Sequence, residues 1–296
     1  MSKVSAIVIR DLAGMDEIHQ AEQLQRAIWN MPGDLDIVPS HLLITAQKNG
    51  GLLMGAFDDQ QMVGLLFGFL GLAKGQFRHC SHIMGMLPAY RGRGIGLRLK
   101  HHQRDVVRAQ GLKLITWTYD PLEAANATLN IHKLGAISRT YLRNIYGELQ
   151  DGLNRGLPTD RFEVEWSSET PPAVDQPSQA WRKIDDLPDA GIPLVLRTTL
   201  ERNALPTPDA WHMTEAPVVA VEFPSDMQRI RATSLDLAYA WRMTTRELFE
   251  SYFAAGYHVA DVLSFDESGR HRSVYLLKHD YRGGIPTMEV EHDPTH

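Results

Sequence analysis

Met86-Leu87-Pro88-Ala89-Tyr90-Arg91-Gly92-Arg93-Gly94-Ile95-Gly96 is the stretch that decides how this chain is read. It joins an apolar segment (Ile83, Met84, Met86, Leu87) to a helix-like one carrying Ile95, Leu99, Val106 and Ala109. Pro88 cannot donate to a ladder and so ends the strand. Gly92, Gly94 and Gly96 then leave a turn whose main-chain N–H groups no side chain screens. A helix starting there has unpaired N–H groups and the positive end of its dipole behind them, which suits a phosphate or pyrophosphate.

The common phosphate loops do not fit. A P-loop needs Lys-Ser or Lys-Thr after its last glycine, where Leu97-Arg98 stands; a dinucleotide fingerprint needs a glycine where Arg91 stands. What remains is Arg91-x-x-Gly94-x-Gly96 behind an apolar strand and Pro88. This resembles the pyrophosphate loop of the GNAT superfamily of coenzyme A-dependent N-acyltransferases, Arg/Gln-x-x-Gly-x-Gly/Ala. The resemblance extends through Ile115-Thr-Trp-Thr-Tyr-Asp-Pro-Leu, Lys133-Leu-Gly-Ala, Tyr146-Gly and Gly156-Leu-Pro-Thr-Asp-Arg to Glu165-Trp, and is to a long-form bacterial branch with a C-terminal extension.

Composition bounds the rest. A chain of 296 residues with 43% hydrophobic and 22% charged residues has room for two cores and reads as an ordinary globular protein. A net charge of −6 without a Lys/Arg stripe argues against nucleic acid as partner. The single cysteine, Cys80, excludes an intrachain disulfide and fits a reducing compartment. There is no apolar leader and no window approaching a membrane span, so a cytoplasmic location is expected.

Strands are expected at Ala6–Arg10, Leu52–Phe57, Met62–Gly71, His79–Leu87, Leu112–Thr118, Ala136–Tyr141 and Arg161–Trp166, with helices at Asp16–Trp29, His41–Gln47, Ile95–Gln110 and Glu123–Lys133. This order matches the GNAT α/β sandwich with its mixed sheet. The implied organisation is an acyl-CoA-binding domain over 1–166, a linker at 167–179 by its Pro, Ser and Gln content, and an α+β domain of unknown role over 180–296. In the latter, Val218–Phe223 reads as a strand, Ser225 as the cap of one long helix Asp226–Ala255, and Tyr257–Phe265 with Ser273–Lys278 as a hairpin. Strand, helix, strand there is similar to the centre of the first domain, a degenerate half without a phosphate loop. Asn144 to Asp160 is an unusually long polar connection, and such loops are more often functional than not.

The resemblance assigns Met84, Gly85 and Met86 to the pantetheine arm, and Arg91, Gly92, Arg93, Gly94, Ile95, Gly96 and Leu97 to the pyrophosphate. Asn126 and Asn130, four apart and so on one helix face, are further pantetheine contacts. Attack of an amine on a thioester needs a proton acceptor, donors for the tetrahedral oxyanion, and an acid for the thiolate. Period-two alternation places Cys80, His82 and Met84 on one strand face, and His82 is the candidate base or proton wire, against a core histidine as the bland alternative. The acid position that many GNAT members fill with tyrosine is Ile131 here; Tyr141 is the candidate substitute, with Tyr146 beside it in the long connection. A metal role for His79-Cys80-x-His82 is disfavoured because adjacent strand residues point apart.

The function expected is transfer of an acetyl or other short acyl group from acyl-CoA, as co-substrate, to a small primary amine, an amino acid among the options. No metal, nucleic acid or membrane takes part, and a homodimer is left open. The alternative is a coenzyme A-binding regulatory protein with weak or lost catalysis.

Overall fold

The computed structural model describes residues 6–29, 37–147, 156–169, 181–199, 205–267 and 269–280. Most of the expected linker and the middle of the 144–160 connection lie outside these residues.

The first half runs β1 (Val8–Asp11), α1 (Gly14–Trp29), α2 (Ser40–Lys48), β2 (Leu52–Asp58), β3 (Gln61–Ala73), β4 (Gln76–Met86), α3 (Ile95–Ala109), β5 (Leu114–Tyr119), α4 (Ala124–Ala127), β6 (Ile137–Leu142) and β7 (Arg161–Ser167). The second half adds α5 (Asp186–Asp189), β8 (Leu194–Leu196), β9 (Thr198–Thr199), β10 (Thr207–Pro208), β11 (Val218–Phe223), α6 (Met227–Thr233), α7 (Leu235–Ala254), β12 (Tyr257–Glu267) and β13 (Arg270–His279). Eleven strands form one mixed sheet in the order β1-β2-β3-β4-β5-β7-β6-β12-β13-β11-β8. Among the described residues, only β4–β5 and β11–β8 pair in parallel. The sequence pattern placed the first half's elements to within a few residues; the short strands β8, β9 and β10 carry too little periodicity to be read.

Helices α1 and α2 cover one face of β2–β4 through Ile18, Leu24, Leu43 and Phe67, and α3 covers the other through Leu66, Ile95 and Leu99. Gly85 lets α1 approach, since a Cβ there would come within 2.8 Å of Ile28 Cγ2. The largest cluster spans both halves, joining Ile115, Phe162 and Trp166 to Trp241, Phe249 and Tyr275. The ladder itself crosses the seam at one pairing, Ser138 with Val259. Packed aromatics and buried ion pairs do the rest. Phe162 meets Phe249 edge-on at 4.7 Å between ring centres, and Arg246 grips Asp160 at 2.7 and 2.8 Å.

Two helix readings are corrected. The segment expected as one helix from Asp226 is two, because Ser234 is extended (φ −149°, ψ 103°) and caps α7 by accepting from Leu237 N. The cap of α6 is Asp226, accepting from Arg229 N at 2.9 Å, while the Ser225 hydroxyl pairs with Ser273. The helix expected over Glu123–Lys133 is a single α-turn that widens into a π-helix at Thr128–Lys133. Asn126 is exposed in the α-turn, while Asn130, in the π-turn, is buried, 4% exposed.

Candidate active site

β4 and β5 pair only at His79–Ile115 and Cys80–Thr116. Beyond that point the strands part, and the later residues of β4, Met84 to Met86 among them, present an unpaired backbone edge toward β5. β4 also carries a bulge. Phe67 faces Ile83 and Gly68 faces Ser81, so His82 is the extra residue. The bulge overturns the simple alternation read from sequence. A Cβ built on Gly96 would meet Met86 Cε at 3.0 Å and Met84 Cε at 3.6 Å, so Met84 and Met86 lie on the α3 face. His82 lies on the opposite face, toward α1, with its ring centre 6.0 Å from that of Phe67 and 5.7 Å from that of Phe69. His82 and Met84 thus flank the open strand edge from two sides.

At the end of β4, Pro88–Tyr90 makes one tight turn and the chain enters the glycine loop. Gly92 and Gly94 both have φ +74°, a conformation that needs glycine, and no atom comes within 4 Å of a Cβ at either. Gly94 caps α3 without a side-chain acceptor. The first N–H groups of α3 are therefore left pointing out of the helix end. Arg91 is tied back by Nε to Met86 O (3.4 Å) and by Nη2 to Ile28 O (3.5 Å), and Arg93 lies over the Tyr90 ring at 4.9 Å. The residues present fit a pyrophosphate: an open glycine cradle, free main-chain donors and two arginines at its rim.

Beneath the fork lies a polar cluster that the sequence reading missed. Lys100, 2% exposed, places Nζ 2.8 Å from Ser81 Oγ, 3.2 Å from Gln103 Oε1 and 3.6 Å from the centre of the Trp117 ring. Gln103 Nε2 in turn lies 3.0 Å from His79 Nε2. Burial drives the Lys100 ammonium well below its ordinary pKa, and burial with the neighbouring lysine drives His79 down to about 4. The signal was available: Lys100 and Gln103 interrupt the apolar stripe of α3, and His79 and Ser81 share the facing side of β4.

On the α1 side, Thr116 and Thr118 of β5 face the same space as Cys80. The Thr118 hydroxyl lies 2.8 Å from the hydroxyl of Tyr146, at the start of the long connection, so that side chain reaches the part of β5 beyond the fork. His82 is open to solvent on one side, and its apolar surroundings hold its pKa below the ordinary histidine value. Tyr141 is elsewhere. Its hydroxyl donates to Asp160 Oδ2 at 2.8 Å, its ring stacks on Phe249, and burial raises its pKa far above the usual range. A phenol committed to a buried carboxylate two strands from the fork is a brace for the seam, and Tyr146 is the tyrosine beside the fork. Ile131 is part of the core, 1% exposed. Among the described residues, no group of three or more His, Cys, Asp or Glu could hold a metal ion.

A glycine loop at the end of a splayed parallel strand pair, on a mixed sheet sandwiched by helices, defines an acyltransferase-type fold. Residues 15–135 match the family model of the acetyltransferase (GNAT) family. Its structure is similar to ribosomal-protein-S18-alanine N-acetyltransferase from Escherichia coli (15% identity, TM-score 0.45, covering 60% of this chain and 100% of that one). It is similar also to Arabidopsis thaliana Naa50 bound to the bisubstrate analogue CoA-Ac-MVNAL (19%, 0.42, 54% and 97%). A third likeness is to an N-acetyltransferase from Staphylococcus aureus Mu50 (17%, 0.45, 56% and 100%). No curated protein matches the sequence.

Proposed function

We propose that this protein is an acyl-CoA-dependent N-acyltransferase that moves an acetyl or other short acyl group to a small primary amine. The observation that carries the reading is the fork: a strand edge left unpaired beyond Cys80, running into an open glycine loop at a helix start. Arg91 to Leu97 would hold the pyrophosphate, and Met84 to Met86 the pantetheine, with Asn126 at the outer rim. The acyl-CoA supplies an activated thioester when bound. The main-chain N–H groups of the unpaired β4 edge are fixed donors for a developing oxyanion.

His82 serves as base or as one end of a water path. An ammonium must lose a proton before it can attack, and a histidine with a lowered pKa is neutral, hence able to accept, at neutral pH. Tyr146 replaces Tyr141 as the hydroxyl available to the departing thiolate, and a thiolate with a pKa near 8.5 needs little help. The division into a catalytic part over 1–166 and a C-terminal part over 180–296 belongs to the same proposal, as does a cytoplasmic location; no described helix is long and apolar enough to cross a membrane.

The test is thiol release from acetyl-CoA on mixing with pools of small amines and amino acids, with succinyl-CoA and longer acyl-CoA donors run in parallel. Amine-dependent release supports the enzyme. The second reading, coenzyme A binding without transfer, is favoured by Ile131 standing where many relatives keep an acidic tyrosine. It would be supported by calorimetric acyl-CoA binding with no thiol released across the whole screen.

A further inference from the structure

The second half holds a cavity of about 460 Å³ at the end of β11, where Phe223-Pro224-Ser225-Asp226 turns into α6. The first residues of β13 close one side, and Thr198 with Leu205-Pro206 closes another. No residue of the fork or the glycine loop lines it, so it is separate from the site described above. Its size lies within the range of small-ligand pockets.

The floor is apolar and rigid. Phe223 is 1% exposed and stacks on Tyr275 with ring centres 4.2 Å apart, and Ile230 beside it is buried as well. The charges around the floor divide into a paired set and an unpaired one. Glu222 receives two bonds from Arg272, at 2.7 and 2.8 Å, and a third from Thr198 N. Arg272 also reaches Glu267. Asp226 caps α6, and His271 is paired with Asp266. That leaves Arg229 and Arg270, both exposed and both without a hydrogen-bond or ion-pair partner for the guanidinium among the described residues.

We propose that this cavity binds a small organic carboxylic acid, its carboxylate between Arg229 and Arg270 and its apolar body on Phe223, Ile230 and Leu205. A guanidinium fork matches a planar carboxylate in a bidentate way, and the apolar floor gives a reason to prefer an organic acid to a bare inorganic anion. The Asp226 carboxylate already takes the Arg229 N–H, so the adjoining helix end holds no anion and the two guanidinium groups are the cationic contacts of the cavity. The inference stands on this cavity alone and not on the acyl-transfer reading.

Titration of the full chain with phenylacetate, hexanoate, phenylacetamide and inorganic phosphate tests it, in the wild type and in the Arg229→Gln/Arg270→Gln double variant. Both arginines are exposed, so the variant is expected to keep the wild-type melting temperature and its acetyl-CoA affinity. At least one carboxylate should bind saturably, about tenfold tighter than the neutral amide, and lose about tenfold in the variant. The proposal is overturned if neither carboxylate binds at millimolar concentration, if phenylacetamide binds as well as phenylacetate, or if the folded variant keeps its affinity. Phosphate binding as tightly as both carboxylates would show that the apolar floor plays no part, and would overturn it too.

Discussion

Lys100 Nζ lies 2.8 Å from Ser81 Oγ and 3.6 Å from the ring centre of Trp117, so one buried lysine nitrogen touches both strands just past the point where they part. Ser81 is the first β4 residue beyond the last cross-strand pair and Trp117 the first on β5. The contact fixes the width of the fork from below. Its polarity also makes the fork sensitive to pH.

Burial, with Lys100 beside it, pushes the His79 pKa down to about 4 in the folded chain, from an ordinary value of 6.5. The unfolded state therefore binds more protons between those values, so stability is complete above pH 6.5 and falls as the pH drops toward 4, by about 3 kcal/mol in all. Lys100, lowered as well, extends the same sign upward: stability should keep rising with pH to about pH 9, where tyrosines begin to ionise in the unfolded chain. Urea titrations from pH 4 to pH 9 read both slopes. His79→Gln should flatten the acid one and Lys100→Met the alkaline one; unchanged slopes would mean that neither group is buried as described.

Gly94→Asp should abolish acyl-CoA binding and leave the sheet intact. The substitution puts a carboxylate at the mouth of the glycine cradle and a side chain at φ +74°, which costs about 1 kcal/mol of local strain. Calorimetry on the folded variant is the check, and retained affinity would remove the loop from the cofactor site.

His82→Ala should lower turnover by about a hundredfold and shift the acid limb of the pH profile, with acyl-CoA affinity nearly unchanged. Tyr146→Phe should act on turnover and not on affinity, and Tyr141→Phe should cost stability with turnover nearly intact. Steady-state kinetics beside thermal melts separate the three. A Tyr141 variant that melts normally but turns over slowly would restore Tyr141 as the acid.

Asp160→Asn leaves Arg246 and the Tyr141 hydroxyl facing a neutral amide in a buried site, and should destabilise the protein by about 3 kcal/mol. The Asp160 pKa is lowered, with the Arg246 bonds the main cause opposing burial, so its contribution is present above the ordinary carboxylate range and lost as the pH falls through the folded value. A melt of the variant at neutral pH and again in acid should show the difference from wild type shrinking in acid.

The loop was legible because Pro88 and three glycines at fixed spacing have few other uses, and the strands around it alternate cleanly. The bulge at His82 was not, since a single extra residue leaves no mark in an alternating pattern yet moves every later side chain to the other face. Tyr141 and Tyr146 look alike in sequence; what separates them is the partner each finds, Asp160 for one and Thr118 for the other. Arg246 of α7 could not be connected to Asp160 from sequence at all, because that partner lies more than eighty residues away.

The aromatic cluster joining Phe162 and Trp166 to Trp241, Phe249 and Tyr275 belongs to neither half, while the ladder across the seam is a single pairing. Heat should therefore find one cooperative unit. A calorimetric scan of the whole chain should give one endotherm, and residues 1–169 expressed alone would carry Phe162 with its far wall missing, soluble only with a detergent or a chaperone to lean on. The boundary that matters for trimming this protein is set by where its rings interlock, and the stretch matched by the family model ends well short of it.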